Sequence, residues 1–373
     1  MTDSVNELLL DSSINHSHDL ENYKNHVVAK IVALLNRTDD DLFAQLARAL
    51  EKLDPDQFTV QRLEKLLDSI KELNAQAYQQ IGMELTDELK DFTDYELGFQ
   101  KQLFESVIPA QVLADVRIVG VAANQVYAAA IARPFQGRLL KEWGKSLETT
   151  RMIRIRDEIR MGYIENQTVS QIVKRIRGTK ANNYTDGVIE IDRRHAESVV
   201  RTAIAHTANY SKEQMLKANS DLIKAIVWVS TLDNRTTAYC RIRDGLKYEA
   251  AAPHKPIGHN VPFFNGPPGH WGCRSTTTFV TKSWKELSGA NIDEFLPSVR
   301  ASMDGQVPAE MTYSQWFAKQ SAARQDEILG PTRGKLYRDG GLELEGFSNL
   351  KGNLFTLDQL RERDAQAFKK AGL

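Results

Sequence analysis

The chain contains two cysteines, Cys240 and Cys273, and the second closes a His-x2-Cys clasp with His270. Thiolate and imidazole are zinc ligands, and this spacing is half of a zinc site. A tetrahedral site needs a fourth donor, for which Asp233, Asp244, His254 and His259 are candidates. A structural zinc is therefore the one cofactor the sequence suggests. The same residues admit two other readings. Cys240 and Cys273 can be buried small apolar side chains, with His270 bonded to a loop carbonyl, or they can form a redox-sensitive thiol pair. Asp233 and Arg235 lie two apart and can fix a loop through charge-assisted hydrogen bonds. As a general base near His270, Asp233 would need a partner. Local spacing supplies no second carboxylate or nucleophile, so no catalytic residue is assigned. A metal-dependent hydrolase or toxin-like enzyme built on the Cys/His cluster stands as the alternative to a structural role.

A second chemistry is electrostatic. Residues 133–180 hold 12 Lys and Arg against 5 Asp and Glu. Arg151, Arg154, Arg156 and Arg160 fall on one predicted helix, and Lys174, Arg175 and Arg177 on the next. Basic helix faces neutralise phosphates without reading sequence, so these residues are candidates for nonspecific contact with double-stranded DNA. A solvated face balanced by Asp157, Glu158 and Glu165 is the plainer reading. The whole chain splits the same way: residues 1–100 carry 20 acidic and 9 basic side chains, and residues 101–373 carry 29 and 39.

The elements that must position these groups are mainly helical. At 373 residues and 42% hydrophobic content, the chain suggests about two domains. Residues 1–20 are weakly periodic and read as a flexible arm. Residues 21–164 read as a helical domain, in which Leu42, Leu46 and Leu50, then Leu63 and Leu67, repeat at four-residue spacing. Asp39 or Asp40 suits an N-cap for the first of these helices and Thr59 for the second. Pro55, Pro109 and Pro134 are the only prolines before residue 200. Asn166-Gln167-Thr168 signals another helix start, Gly178 a stop, and residues 179–187 a loop. A long helix follows over about 191–218. Residues 225–230, 246–248 and 275–281 read as short strands around a Pro-rich loop at 251–272. The expected fold class is mainly α with a small α+β module over 165–290. Residues 291–373 form an extension with short helices near 312–328 and 356–369.

No apolar run is long enough to span a membrane; the Ala-rich stretch near 119–132 is broken by Asn124 and Gln125. The acidic start MTDSVNELLLDSS lacks a basic n-region, so the expectation is no signal peptide and use first in a cytoplasm.

The ordered set of motifs over about 165–284 resembles the phage Mu F-like minor head (head morphogenesis) proteins. The matching residues begin with Arg201, Thr202 and Asn209 on a helix. They continue with Trp228 ending a strand, Asp233-x-Arg235-Thr236, Cys240, the turn Asp244-Gly245, and the closing loop Pro267-Pro268-x-His270-x-x-Cys273-Arg274. Where that family often has a second Cys after the Arg, this chain has Ser275, a poor zinc ligand. The run Tyr313-Ser-Gln-Trp316, with Leu329-Gly330, Arg333, Leu336 and Tyr337, also resembles tails that follow this module. The resemblance implies a structural virion component inside the head. Its implied partners are the portal, capsid proteins and packaged DNA, with a possible part in genome ejection.

Overall fold

A computed structural model describes residues 3–52, 59–289 and 299–373; Pro55 and the expected boundary at 290 lie outside them. Two helices of 48 residues open the chain, α1 (Asp3–Leu50) and α2 (Val60–Val107). Neither interior contains proline, and interior proline is what most readily breaks a helix. Short α3 (Ala110–Leu113) and α4 (Ala123–Ile131) lead to α5 (Leu140–Ile164), α6 (Val169–Arg177) and α7 (Glu190–Ala218). Next come β1 (Ile223–Val229), α8 (Ala238–Arg241), β2 (Lys247–Glu249), β3 (Thr276–Thr281) and α9 (Trp284–Ser288). A hairpin of β4 (Val299–Ser302) and β5 (Gly305–Pro308) precedes α10 (Tyr313–Ala318), α11 (Ala322–Leu329), α12 (Pro331–Arg338), α13 (Leu357–Arg363) and α14 (Ala365–Lys370). The chain is mainly helical with one small sheet, as its sequence implies. Among the described residues no helix is long and apolar enough to cross a membrane.

The chain forms two compact units that interleave along the sequence. One comprises residues 22–93 and 127–207. Its core takes Leu42, Leu46 and Leu50 from α1, Leu63, Leu67 and Ile70 from α2, Ile155 and Ile159 from α5, and Ile172 and Ile176 from α6. The four-residue spacings thus mark the faces that are buried. Thr59 caps α2 by accepting from the Arg62 amide at 3.2 Å. Thr168 and Gln171 close a capping box on α6, which ends at Gly178. Gly162 lets α6 approach α5: a Cβ there would fall 2.5 Å from Ile172.

Asp39 is no cap, because α1 runs through it without interruption. Its carboxylate is buried instead, bonded to Arg151 and, at 3.1 Å, to Arg193. An Asp ahead of an apolar stripe looks like a start signal, but here two distant guanidinium groups hold it inside the unit.

The other unit comprises residues 1–21, 94–126 and 208–373. Residues 3–20, expected as an arm, are the first turns of α1 and bury Leu9, Ser13 and His16. The sheet has the order β2-β1-β3 and is antiparallel throughout, pairing Ile226 with Tyr248 on one side and with Phe279 on the other. The central strand β1 is therefore buried on both faces, through Ile223, Ala225, Ile226, Trp228 and Val229. Leu103 and Phe104 of α2, with Ile108 just after it, join Trp228, Tyr248, Phe279, Cys240 and Cys273 in its core. A second core gathers Tyr313, Trp316, Phe317, Leu336, Phe347 and Phe368 from the C-terminal helices.

This unit also encloses a polar network. His16 Nε2 meets Glu96 Oε2 at 2.6 Å, and Gln100 donates to Glu96 at 2.8 Å. Lys212 donates to Thr276 Oγ1 at 2.8 Å and to the Thr277 carbonyl at 2.9 Å. Burial lowers Lys212 from 10.5 to about 8, against the raising influence of Glu96. Below about pH 8 the fold carries the full cost of a buried ammonium. Between 8 and 10.5 the folded chain sheds this proton while the unfolded chain keeps it, so this residue's contribution to stability rises with pH. Urea unfolding of wild type and Lys212→Gln should show the difference shifting toward wild type by about 2 kcal/mol between pH 7 and 10. Parallel pH profiles would contradict the lowered pKa of Lys212.

Candidate functional site

The sheet positions the candidate residues by ending them in tight polar corners. After Trp228 the chain turns at Ser230, whose hydroxyl accepts from Trp228 Nε1 at 3.1 Å and donates to the Cys240 carbonyl at 3.0 Å. Asp233 then organises the next corner. Its Oδ1 accepts the Arg235 and Thr236 amides, both at 3.0 Å, and the Thr236 hydroxyl at 3.1 Å. Arg274 closes on the same carboxylate from the far loop with both terminal nitrogens, one of them at 2.9 Å. Burial alone would raise the Asp233 pKa, but Arg274, the Thr236 hydroxyl and the Arg235 amide hold it below the ordinary value. So ionised and surrounded by donors, Asp233 is not poised to take a proton. Arg235 itself is largely exposed, with Nε 3.9 Å from Asp233.

Asp244 ties the module together. It is fully enclosed, and its Oδ1 accepts the Ser230 amide at 2.6 Å while its Oδ2 accepts the Tyr313 amide at 2.7 Å. Arg300 reaches both oxygens at 3.3 Å and also donates to the carbonyls of Ser230 and, at 2.7 Å, Met311. Gly245 follows with φ of 78°, in the left-handed region that favours glycine, and a Cβ there would press on Thr312.

Cys240 on α8, with His270 and Cys273 from the closing loop, comes together as the sequence spacing suggests. The two Sγ atoms are 3.7 Å apart, and Cys240 Sγ lies 3.3 Å from His270 Nε2. All three potential ligand atoms lie within 4.8 Å of one another. Both thiols are buried and the imidazole is half-buried. Within the pair, the contact with Cys240 and the neighbouring His270 hold Cys273 well below its ordinary value, while the contact with Cys273 and burial push Cys240 up. Burial opposes charging of His270, but the Cys273 thiol beside it raises its pKa overall. Pro267-Pro268 is a cis bond, and Gly269 lies so close to Tyr239 that a Cβ would fall 2.2 Å from the ring. Pro268 thus stands in the loop that delivers His270.

None of the four suggested extra donors joins this group. Asp233 and Asp244 are engaged as described, His254 Nδ1 faces the Glu249 carbonyl, and His259 Nε2 faces the Lys247 carbonyl. Among the described residues no carboxylate joins the cluster. Of the helix residues, Thr202 is spent on the Ser198 carbonyl at 2.7 Å. Arg201 is half-buried beside it on α7, whereas Asn209 lies near Gly266 of the loop.

The arginines chosen as a phosphate-binding face are mostly internal partners. Arg151 is buried against Asp39, and Arg154 pairs with Asp192 at 3.3 Å. Arg156 and Arg160 share Glu64 and Asp157. Arg175 spans Glu158 and Glu165, and Arg177 meets Asp40. Lys174 is exposed. The pairings with Asp157, Glu158 and Glu165 follow the plainer reading of the sequence, whereas sequence reasoning missed those with Asp39, Asp40, Glu64 and Asp192 because these residues lie far away along the chain. It also missed Arg300 and Arg243. Arg243 is buried 3.7 Å over the Tyr239 ring and donates to the Tyr239 and Leu350 carbonyls at 2.7 and 2.6 Å. No spacing marks either residue. Tyr313, whose hydroxyl donates to the Asp233 carbonyl at 2.8 Å, lies in the run singled out for its resemblance to a family tail.

With this geometry in view, comparison with known families adds one finding. Residues 153–278 match the family described as Phage Mu protein F like protein. That segment, about a third of the chain, is similar to the phage Mu F-like family. The matched segment begins in α5 and ends in β3, so it contains the Asp233, Asp244 and Cys/His corners. The similarity covers the part of the chain that carries the ordered motifs. No curated protein and no solved structure matches it.

Removing the central carboxylate should be costly. Asp244→Ala leaves Arg300 and two amides buried without their acceptor. It should destabilise the chain by about 3–5 kcal/mol in urea unfolding, with part of the loss recovered in Asp244→Ala/Arg300→Met. A loss below about 1 kcal/mol would show that the corner is not structural.

Proposed function

We propose that this protein is a minor structural component of the phage head. It joins the procapsid through protein contacts at or near the portal and remains inside the virion. The observation that carries the reading is how its signature residues are used. Asp233, Asp244, Arg274 and Thr236 are all consumed in holding corners of the fold together. A signature spent on folding marks a module that serves as a building part, and the family's role in head morphogenesis supplies the setting. The acidic first 100 residues offer a surface suited to basic partners.

Nonspecific contact with packaged DNA is a second element of the proposal. It rests on the basic balance of residues 101–373 and on exposed cations such as Lys174. The paired arginines of α5 and α6 contribute less than their number suggests, because their charge is already matched. Help in genome ejection would follow from lasting contact with the DNA.

Co-expression with the portal and capsid proteins of its own phage tests the first element. The protein should sediment with procapsids and be lost from particles assembled without portal. Sedimentation that ignores the portal would move the docking site elsewhere in the shell, and absence from particles would overturn the structural role. For DNA, retention on duplex should fall steeply with salt. No retention at low salt would remove that element alone.

A further inference from the structure

We propose that Cys240, Cys273 and His270 form a zinc site, with two thiolates and one imidazole as protein ligands and a fourth vertex beside the hydroxyls of Thr237 and Ser275. The distances carry the argument. Zinc–sulfur bonds of about 2.3 Å in a tetrahedron place two thiolates about 3.8 Å apart, and a zinc–nitrogen bond of about 2.0 Å places sulfur and nitrogen about 3.5 Å apart. The chain has its two Sγ atoms 3.7 Å apart and Cys240 Sγ 3.3 Å from His270 Nε2. Two edges of a face of such a tetrahedron are thus already in place, and all three atoms lie within 4.8 Å of one another.

The imidazole is also oriented for the role. His270 Nδ1 lies 2.9 Å from the Trp271 carbonyl oxygen, which can only accept, so Nδ1 carries the hydrogen. The lone pair then sits on Nε2, which faces the thiols. A carbonyl that fixes the tautomer of a ligating histidine is a common outer partner in metal sites. At present Nε2 accepts from the Thr237 hydroxyl at 2.9 Å, and an ion would displace that hydrogen bond.

The supporting structure is rigid enough to preform the site. Cys240 is fixed through its carbonyl to Ser230 and belongs to the sheet core. Cys273 sits between His270 and Arg274, and Arg274 is clamped on Asp233. Zinc would therefore bridge α8 and the closing loop at the point where neither sheet nor helix links them. Binding releases the thiol protons to solvent. The Ser275 hydroxyl, 3.3 Å from Ser230 Oγ, is the group we assign beside the vertex that no protein thiolate or imidazole fills.

The test uses the full-length, untagged chain, purified reduced, loaded with one equivalent of zinc and passed over a chelating resin. Metal analysis should find one zinc per chain. Cobalt substitution should give the visible bands of a tetrahedral ion and the near-ultraviolet thiolate band. His270→Ala and Cys273→Ser should lose both signals. Because those variants can fail by misfolding, Ser275→Cys provides a gain: a third thiolate should tighten zinc by about tenfold or more. The proposal is overturned if the wild-type chain, helical by circular dichroism and with two reduced thiols, holds no zinc and gives no cobalt bands. It is equally overturned if Ser275→Cys binds no tighter, or if a Cys240–Cys273 disulfide forms regardless of zinc.

Discussion

A carboxylate with no access to solvent needs every lone pair occupied, and Asp244 meets that need by drawing in three separate parts of the chain. The Ser230 amide comes from the end of β1, the Tyr313 amide from the start of α10, and the Arg300 guanidinium from β4. Once these donors converge, the end of the sheet, the turn at Gly245 and the C-terminal helices have little freedom to move apart. The interaction depends on completeness. With one member missing, the others are left as buried unpaired charge or orphaned amides, which is why such a cluster fixes one arrangement rather than several.

The Cys/His group depends on that corner. Cys240 follows the Asp233 turn by seven residues and is held to Ser230, the same residue whose amide binds Asp244. His270 and Cys273 arrive on a loop without regular secondary structure, shaped by a cis proline pair and by Gly269 against Tyr239, then locked by Arg274 on Asp233. Two acidic residues thus perform parallel tasks, one inside the sheet corner and one at the loop's return. The Mu F-like signature reads, in this chain, as a record of those two tasks together with the residues they bring into contact.

Much of this was legible in the sequence because the signals are local. Thr59 and the Thr168/Gln171 box cap helices within four residues of themselves. The strands at 223–229, 247–249 and 276–281 follow β-branched and aromatic runs, and the His270-x2-Cys273 clasp lies on a single loop. What escaped was long-range charge pairing. Asp39 resembles a helix cap but finds its partners 112 and 154 residues away. The arginines of α5 and α6 resemble a phosphate-binding face partly for the same reason: beside the nearby Asp157, Glu158 and Glu165 they take acidic partners from α1, α2 and α7, and no periodicity links such distant residues. Arg300 is illegible in principle, since a lone arginine has no pattern until the fold supplies Asp244. The hairpin of β4 and β5 is four residues per strand and carries too little alternation to stand out.

The central claim is that one enclosed carboxylate makes the sheet corner and the C-terminal helices a single cooperative body. Native-state hydrogen exchange of individual amides addresses it directly. The Ser230 and Tyr313 amides, which donate to opposite oxygens of Asp244, should exchange with the same opening free energy and respond in parallel to added urea. A Tyr313 amide that exchanges through a cheaper opening, while Ser230 stays protected, would contradict the claim and reduce Asp244 to a local turn residue.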